Sequence, residues 1–328
     1  MAMSAPLLDV KDLTVRFTGN RGKVLTAVDG LSFSINPGEC VGIVGESGSG
    51  KSQTFLNLLG LRAENAHVAG SAKFEGEELI GASPEVMRKL RGNRISMIFQ
   101  DSITGLTPHL KIGRQLDEVL MEHQGLSREK ARAEVLEMLE TVQIPEARRR
   151  LDMYPHELSG GMRQRVMIAQ ALLCKPKVLI ADEPTTALDV TVQARILHLL
   201  RKLKQHTQMA IFMITHDLGV VAGLCDRVIV MYAGRAVETG TVDDIFYRPQ
   251  HPYTKALLKS IPRLDMDPSE RLLAIPGNPP SLANIPAGCA FAPRCEAAMP
   301  QCAAERPLLT PRSSDIHRAA CHLKMGQP

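Results

Sequence analysis

No stretch of the chain reaches the roughly 18 uninterrupted apolar residues that a membrane-spanning helix needs. Its most apolar segments are short. ECVGIVG, KVLIAD and MAIFMIT read as buried strands. The opening MAMSAPLLDVKDL has no basic segment followed by an apolar run and a cleavage site, so no secretory signal is expected. If such a protein works at a membrane, it must dock onto something that spans it. One-sided charge is also lacking. Lys plus Arg total 39 and Asp plus Glu total 35, a formal charge of +4. That balance neither requires nor excludes a nucleic-acid partner, but there is no basic stripe for a phosphate backbone and none is expected.

What is present, in 328 residues, suffices for a large domain and a smaller appendage. Residues 7–17 and 24–35 are strand-like, and NPGE (36–39) is a turn. ECVGIVG then reads as a central strand, GESGSG as a glycine loop and KSQTFLNLLGL as a helix. A small strand pair is expected over 70–80 and a strand at ISMIFQ (95–100). Residues 110–142 are mostly helical, with Ser127 placed as a cap. A helix begins near Met162, KVLIADEP is a buried strand, and VTVQARILHLLRKLKQH is an amphipathic helix. MAIFMITHD is a further strand, LGVVAGLCD a helix, and DRVIVMYAGRAVETG a hairpin turning at Ala233–Gly234. Alternating strands and helices imply an α/β fold with a mostly parallel sheet. After about residue 262 proline becomes frequent and helical periodicity fades. A region that short and polar needs a staple or a partner to be ordered.

The segment Gly45-Glu-Ser-Gly-Ser-Gly-Lys51-Ser52 matches the phosphate-binding loop pattern in full, between an expected strand and helix. Gly45, Gly48 and Gly50 let the backbone curl its N–H groups toward phosphates, with Ser47, Ser49 and the following Gln53 beside them. Lys51 reaches the β- and γ-phosphates of ATP, and Ser52 holds Mg²⁺. Val178-Leu-Ile-Ala-Asp182-Glu183 puts two carboxylates at a strand end. Asp182 is placed to hold the Mg²⁺ shell and Glu183 to act as general base toward water. No guanine-reading NKxD motif is present, which argues against a GTPase.

Leu158-Ser-Gly-Gly-Met162-Arg-Gln-Arg165 resembles the signature motif of ABC ATPases. It stands just before the Asp182–Glu183 strand, as in that family. The resemblance covers residue 7 to about 250 and implies a P-loop NTPase nucleotide-binding domain with a helical subdomain. It makes Gln100 the Q-loop glutamine, touching Mg²⁺ or water, and Ala187-Leu-Asp189 the D-loop. His216 becomes the switch histidine on the γ-phosphate, and Phe17 the aromatic that stacks on adenine. Ser159, Gly160 and Gly161 would face the γ-phosphate bound by an opposing subunit. Met162 stands where the family usually has Gln. One full motif set is half of a two-ATP sandwich, so a second ATPase chain is required. Soluble ABC ATPases acting on nucleic acid or ribosomes carry long insertions or two cassettes, and this chain has neither.

GESGSGKSQT, SMIFQD, ADEPTTALDVTVQA, ITHDLGVVAG, HPYTKALL and IPGNPPSL resemble the oligopeptide/dipeptide importer branch, in its D-type ATPase subunit. FQDSITGLTP departs from the branch's usual FQDPMTSLNP beside the coupling surface. The resemblance implies an ATPase with two transmembrane permease subunits and a second, non-identical ATPase. An extracytoplasmic peptide-binding protein completes the set, and the chain sits peripherally on the cytoplasmic face of the inner membrane. Nickel, sugar and opine importers belong to the same branch. The domains expected are 1–260, with the helical subdomain at about 101–175, and a C-terminal extension at 261–328.

Cys40, Cys174 and Cys225 are scattered and read as small buried hydrophobes. Cys289, Cys295, Cys302 and Cys321 cluster in the tail. A cytosolic compartment disfavours disulfides, so four thiols in a poorly hydrophobic segment suggest a metal staple or free thiols. The spacing matches neither CxxC zinc pairs nor a ferredoxin run. It suits a [4Fe–4S] cluster better than Zn²⁺, and the resemblance points the same way. His317 and His322 could be ligands but are read as surface residues.

Overall fold

The computed structural model describes residues 5–19, 22–101, 105–260 and 275–323. Ser102, Ile103 and Thr104, where the chain departs from FQDPMTSLNP, lie outside the described residues, as does the expected domain boundary at 260/261 on its C-terminal side. Two compact units divide the chain. One comprises Met1–Ile35, Val41–Ile80 and His216–Pro328, and the other Asn36–Cys40 and Gly81–Thr215.

The first unit begins with β1 (Leu8–Thr18) and β2 (Val24–Ile35), paired antiparallel. β3 (Cys40–Val44), buried at every position, leads into the glycine loop and α1 (Lys51–Leu58). β4 (Ala66–Phe74) and β5 (Glu77–Glu78) complete a sheet of order β2-β1-β4-β5. Val10, Leu13 and Val15 of β1 are buried while Lys11 and Asp12 are exposed, so the side-chain alternation breaks once. The break is a bulge, with Asp12 at φ 50 and its N–H donating to Ser32 Oγ at 2.9 Å.

The second unit contains α2 (Pro84–Leu90), β6 (Ile95–Ile98), α3 (Ile112–Gln124), α4 (Arg128–Thr141), α5 (Ala147–Arg150), α6 (Gly160–Leu172), β7 (Val178–Asp182), α7 (Val190–Thr207) and β8 (Ala210–Ile214). β6, β7 and β8 pair in parallel. β7 and β8 are buried at all five positions each, as a sheet covered on both faces requires. Ser127 caps α4, accepting from the Lys130 N–H at 3.4 Å. Arg132 then ties α4 to α3 through the buried Asp117, with Nη2 to Oδ2 at 2.5 Å.

The chain returns to the first unit with α8 (Leu218–Leu224), β9 (Arg227–Tyr232), β10 (Arg235–Thr241), α9 (Val242–Tyr247) and α10 (Pro252–Lys259). α11 (Pro300–Ala304), β11 (Thr310–Pro311) and β12 (Arg318–Ala319) follow in the tail. β9 runs parallel to β3, and β10 turns back antiparallel through Ala233 and Gly234 at φ 47 and 81. Positive φ at both turn residues is what a tight hairpin needs, and glycine takes it without strain. β12 adds antiparallel to β10, pairing Glu238 with Ala319, and β11 pairs with β12.

The expected parallel pairing holds for β3–β9 and for β6–β7–β8. It does not extend to the first strands: β1 pairs antiparallel with both β2 and β4, and β4 with β5, the β1–β2 and β4–β5 pairs being hairpins that follow directly in the chain. α2 stands where the sequence raised no expectation. Ser83 caps it, accepting from the Val86 N–H, with Pro84 in its first turn, a readable start signal. The tail is ordered by docking. Phe291 is 3 % exposed and packs in one apolar cluster with Val230, Tyr232, Ile245 and Tyr253. His317, read as a surface residue, is fully buried. Its Nε2 is 2.9 Å from Glu238 Oε1 and its Nδ1 is 2.7 Å from Ser313 Oγ. The correction has a physical cause: the adjoining strand β12 draws the imidazole onto a carboxylate that is itself fully buried.

Candidate active site

The phosphate loop is shaped by backbone constraints that its glycines satisfy. Gly45 adopts φ 147, and a Cβ there would lie 2.2 Å from the Met231 carbonyl oxygen. Gly50, at φ 96, caps α1, and a Cβ on it would lie 2.3 Å from the Ala27 oxygen. Gly48, at φ 78, would meet nothing within 4 Å, leaving that side of the loop open. The Gly234 N–H donates to Ser49 O at 3.0 Å, so the β9–β10 turn braces the loop from behind. The Lys51 ammonium donates to Gly45 O at 2.7 Å and Glu46 O at 2.9 Å. A glycine-enforced ring of backbone, a lysine in its mouth, a serine at position 52 and a helix start behind it fit the phosphates of ATP with Mg²⁺. Phe17, near the end of β1, and the exposed His216, just before α8, belong to this same unit.

The second unit gathers the other motif residues. Asp182 ends β7 at 3 % exposure. Glu183 follows at φ 49, a strained left-handed conformation for a residue with a side chain. Its N–H donates to Ile214 O at 2.8 Å, and its Oε2 accepts from the Thr186 hydroxyl at 3.2 Å. Ser159 is the N-cap of α6 and accepts from the Met162 N–H at 3.3 Å. That contact uses the backbone of Met162, so the departure from the usual Gln leaves the cap in place. A Cβ on Gly160 would meet nothing within 4 Å, whereas one on Gly161 would sit 3.1 Å from Ala187 O. Asp189 caps α7, accepting from the Val192 N–H at 3.0 Å. Gln100 lies exposed just beyond β6.

Gln164 is a residue that motif reading passed over. It is 2 % exposed, donates to Glu183 O at 3.1 Å and accepts from the Ala187 N–H at 3.0 Å. One amide thus ties α6 to the turn that follows β7 and to the Ala187 backbone. Its position inside the signature was the available signal.

The four tail cysteines come within electrostatic reach of one another. Cys289, Cys295 and Cys321 have their thiol pKa values raised, first by burial and also by the neighbouring thiols. Cys302 is buried, and its carbonyl accepts from the Cys289 N–H at 2.7 Å. None of the four is in a disulfide. Among the described residues, however, no three His, Cys, Asp or Glu side chains are grouped to hold a metal ion. The thiols gather without forming a preset ligand set.

Comparison with known proteins agrees with this geometry. Residues 28–186 match the family model described as ABC transporter, and residues 237–302 match that of the oligopeptide/dipeptide transporter C-terminal region. The oligopeptide transport ATP-binding protein OppD of Haemophilus influenzae is 60% identical over 297 residues, 90% of this chain and 91% of that one. The chain belongs to the ABC transporter family. It is an ATP-binding, ATP-hydrolysing subunit of the oligopeptide/dipeptide type. OppD of Escherichia coli is 58% identical over 302 residues, covering 92% of this chain and 89% of its own. Among solved structures, the dimeric ATP-binding cassette MJ0796 bound to ADP and Pi superposes at TM-score 0.66 and 28% identity, over 72% of this chain and 98% of the cassette. Among the described residues of this ABC subunit, no helix is long and apolar enough to cross a membrane.

Proposed function

We propose that this ABC subunit couples ATP binding and hydrolysis to uptake of oligopeptides or dipeptides. The observation that carries the reading is the pairing, in one compact unit, of a complete phosphate loop with a tail of the oligopeptide/dipeptide transporter type. The partners proposed are two transmembrane permease chains, a second and non-identical ATPase, and an extracytoplasmic peptide-binding protein. With those partners, the chain is proposed to sit peripherally on the cytoplasmic face of the inner membrane.

ATP occupies the loop from Gly45 to Gln53 with Phe17 against adenine. Ser52, Asp182 and Gln100 are the residues that would hold Mg²⁺. When bound, the metal neutralises charge on the β- and γ-phosphates. Glu183 takes a proton from the attacking water, and its bond from Thr186 supports an oriented carboxylate. His216 and Lys51 hold the γ-phosphate. Ser159, Gly160 and Gly161 receive the γ-phosphate of ATP bound by the second ATPase, with Asp189 beside them. The open space at Gly160 supports that approach. ATP-driven closure and hydrolysis-driven opening supply the stroke. The domains proposed are a cassette over 1–260 and an extension over 261–328.

The tail cysteines are assigned to a [4Fe–4S] cluster ahead of Zn²⁺. The assignment rests on the branch resemblance and on the mutual proximity of the thiols. Iron, sulfide and zinc analysis of anaerobically purified chain tests it, and stoichiometric zinc without iron would overturn it. The functional reading is tested by ATP hydrolysis of the full complex in lipid, with binding protein added with or without defined peptides. Stimulation by peptide-loaded binding protein, lost in Glu183→Gln, is expected. Stimulation by nickel or sugar ligands and not by peptides would reassign the cargo.

A further inference from the structure

Arg294 ends a single 3-10 turn, Ala292–Arg294, immediately before Cys295. Its side chain is 5% exposed, and all five of its N–H groups have acceptors. Nε donates to Pro276 O at 2.9 Å, and Nη2 to Ile275 O at 3.3 Å. Nη1 donates to the Tyr232 hydroxyl at 3.1 Å. The remaining two form a fork on Glu46, with Nη1 to Oε2 at 2.7 Å and Nη2 to Oε1 at 2.9 Å. Glu46 is the second residue of the phosphate loop.

A second tether comes from α10. The Glu46 N–H donates to the hydroxyl of Tyr253 at 2.8 Å, and Tyr253 is fully buried. The Tyr253 ring packs on Tyr232 and Phe291 with centroids 4.6 and 5.4 Å apart. Both the backbone and the carboxylate of Glu46 are therefore held by residues 207 and 248 positions away in the chain.

The same Glu46 presents its carbonyl oxygen to the Lys51 ammonium. Whatever fixes Glu46 thus fixes one of the two carbonyls on which that lysine rests. Charge matters as well. A carboxylate on a loop built for phosphates repels its ligand unless it is neutralised, and a bidentate guanidinium does so with fixed geometry. None of the phosphate-loop chemistry assigned above uses Arg294 or Tyr253.

We infer that Arg294 and Tyr253 are positioning residues for nucleotide, holding the phosphate loop through Glu46 so that the C-terminal tail helps set ATP affinity. The inference rests on ATP occupying this loop. Neither residue touches the reacting atoms, so the effect falls on binding and not on the chemical step.

The test is binding of a slowly hydrolysed ATP analogue, with KM and kcat, in the assembled complex at fixed and low salt. Arg294→Gln is expected to raise Kd and KM about tenfold, the size of one lost charge-assisted contact, with kcat within about twofold. The defect shrinks as salt is raised, because repulsion from the exposed carboxylate is screened. Arg294→Lys, which keeps charge without the fork, falls in between. Adding Glu46→Gln to Arg294→Gln restores most of the affinity by removing the uncompensated charge. A merely structural arginine would show no such rescue. Tyr253→Phe loses a few-fold. Should Arg294→Gln fail to fold, the Lys variant and the double variant carry the test. Affinity unchanged in folded Arg294→Gln, or no recovery in the double variant, overturns the inference. Lys51→Ala separates the two readings: if it too binds nucleotide like the parent, the assignment of ATP to this loop fails.

Discussion

The phosphate loop and the tail that grips it are built by opposite means. The loop hangs between a strand buried at every position and a helix, and its shape is set by three glycines within six residues. The tail has short elements and holds its place through polar side chains inside the protein. His317 meets Glu238 with both fully buried, and Arg312 donates to the carbonyls of Ala319, Cys321 and Leu323. Glu238 also accepts from the N–H groups of Gln250 and His251 at 2.7 and 2.9 Å. Backbone sterics at glycines shape the first region. Buried polar side chains shape the second. The first should therefore fail by steric insult, and the second by loss of a buried partner.

The largest effect is expected from Gly50→Ala. Its Cβ would press on the Ala27 carbonyl at an unfavourable φ, costing about 3 kcal/mol and about 100-fold in ATP affinity. Nucleotide binding by calorimetry checks it, and parent-like affinity would show that the loop is not shaped by that glycine. His317→Ala should cost about 3 kcal/mol by taking the imidazole from the buried Glu238, leaving it only two backbone donors, and should open residues 275–323 to limited proteolysis. Cleavage no faster than in the parent would break the account of the tail.

A pH effect comes next. Burial, reinforced by the charge of Arg312, depresses the His251 pKa from 6.5 to about 3. The unfolded chain takes up a proton below pH 6.5 that the folded chain refuses until about pH 3. The stabilising contribution is thus complete above pH 6.5 and is lost as pH falls toward 3, at up to about 1.4 kcal/mol per pH unit. His251→Asn, which can still accept from the Tyr253 N–H at that position, should flatten the slope in denaturant titrations at pH 7, 6 and 5. The smallest change is expected from Arg88→Ala. Its pair with Glu122 at 2.9 Å is exposed on both sides, and its loss should move stability by under about 0.5 kcal/mol.

The sequence reveals these two regions unequally, and for a physical reason. Gly45 through Ser52, Asp182, Glu183 and Ser159–Gly161 are contiguous motifs on strand ends and helix starts, so spacing alone exposes them. The hairpin at Ala233–Gly234 is legible because both turn positions need positive φ. The antiparallel sheet of β1, β2 and β4 is hidden because its pairing partners are chosen by tertiary packing. Arg294 reads as an ordinary arginine among prolines, and Glu46 as a spacer inside a glycine loop. Only folding brings them together. His317 suggests a surface histidine because nothing nearby in the sequence announces Glu238, 79 residues away.

Peptide uptake into sealed proteoliposomes tests the central claim most directly. The vesicles would carry this chain with its permeases and second ATPase, with ATP inside and binding protein outside. The account predicts accumulation of a labelled oligopeptide or dipeptide that needs ATP and is abolished by Glu183→Gln. A complex that hydrolyses ATP yet accumulates no peptide of any length, while moving another cargo, would contradict it.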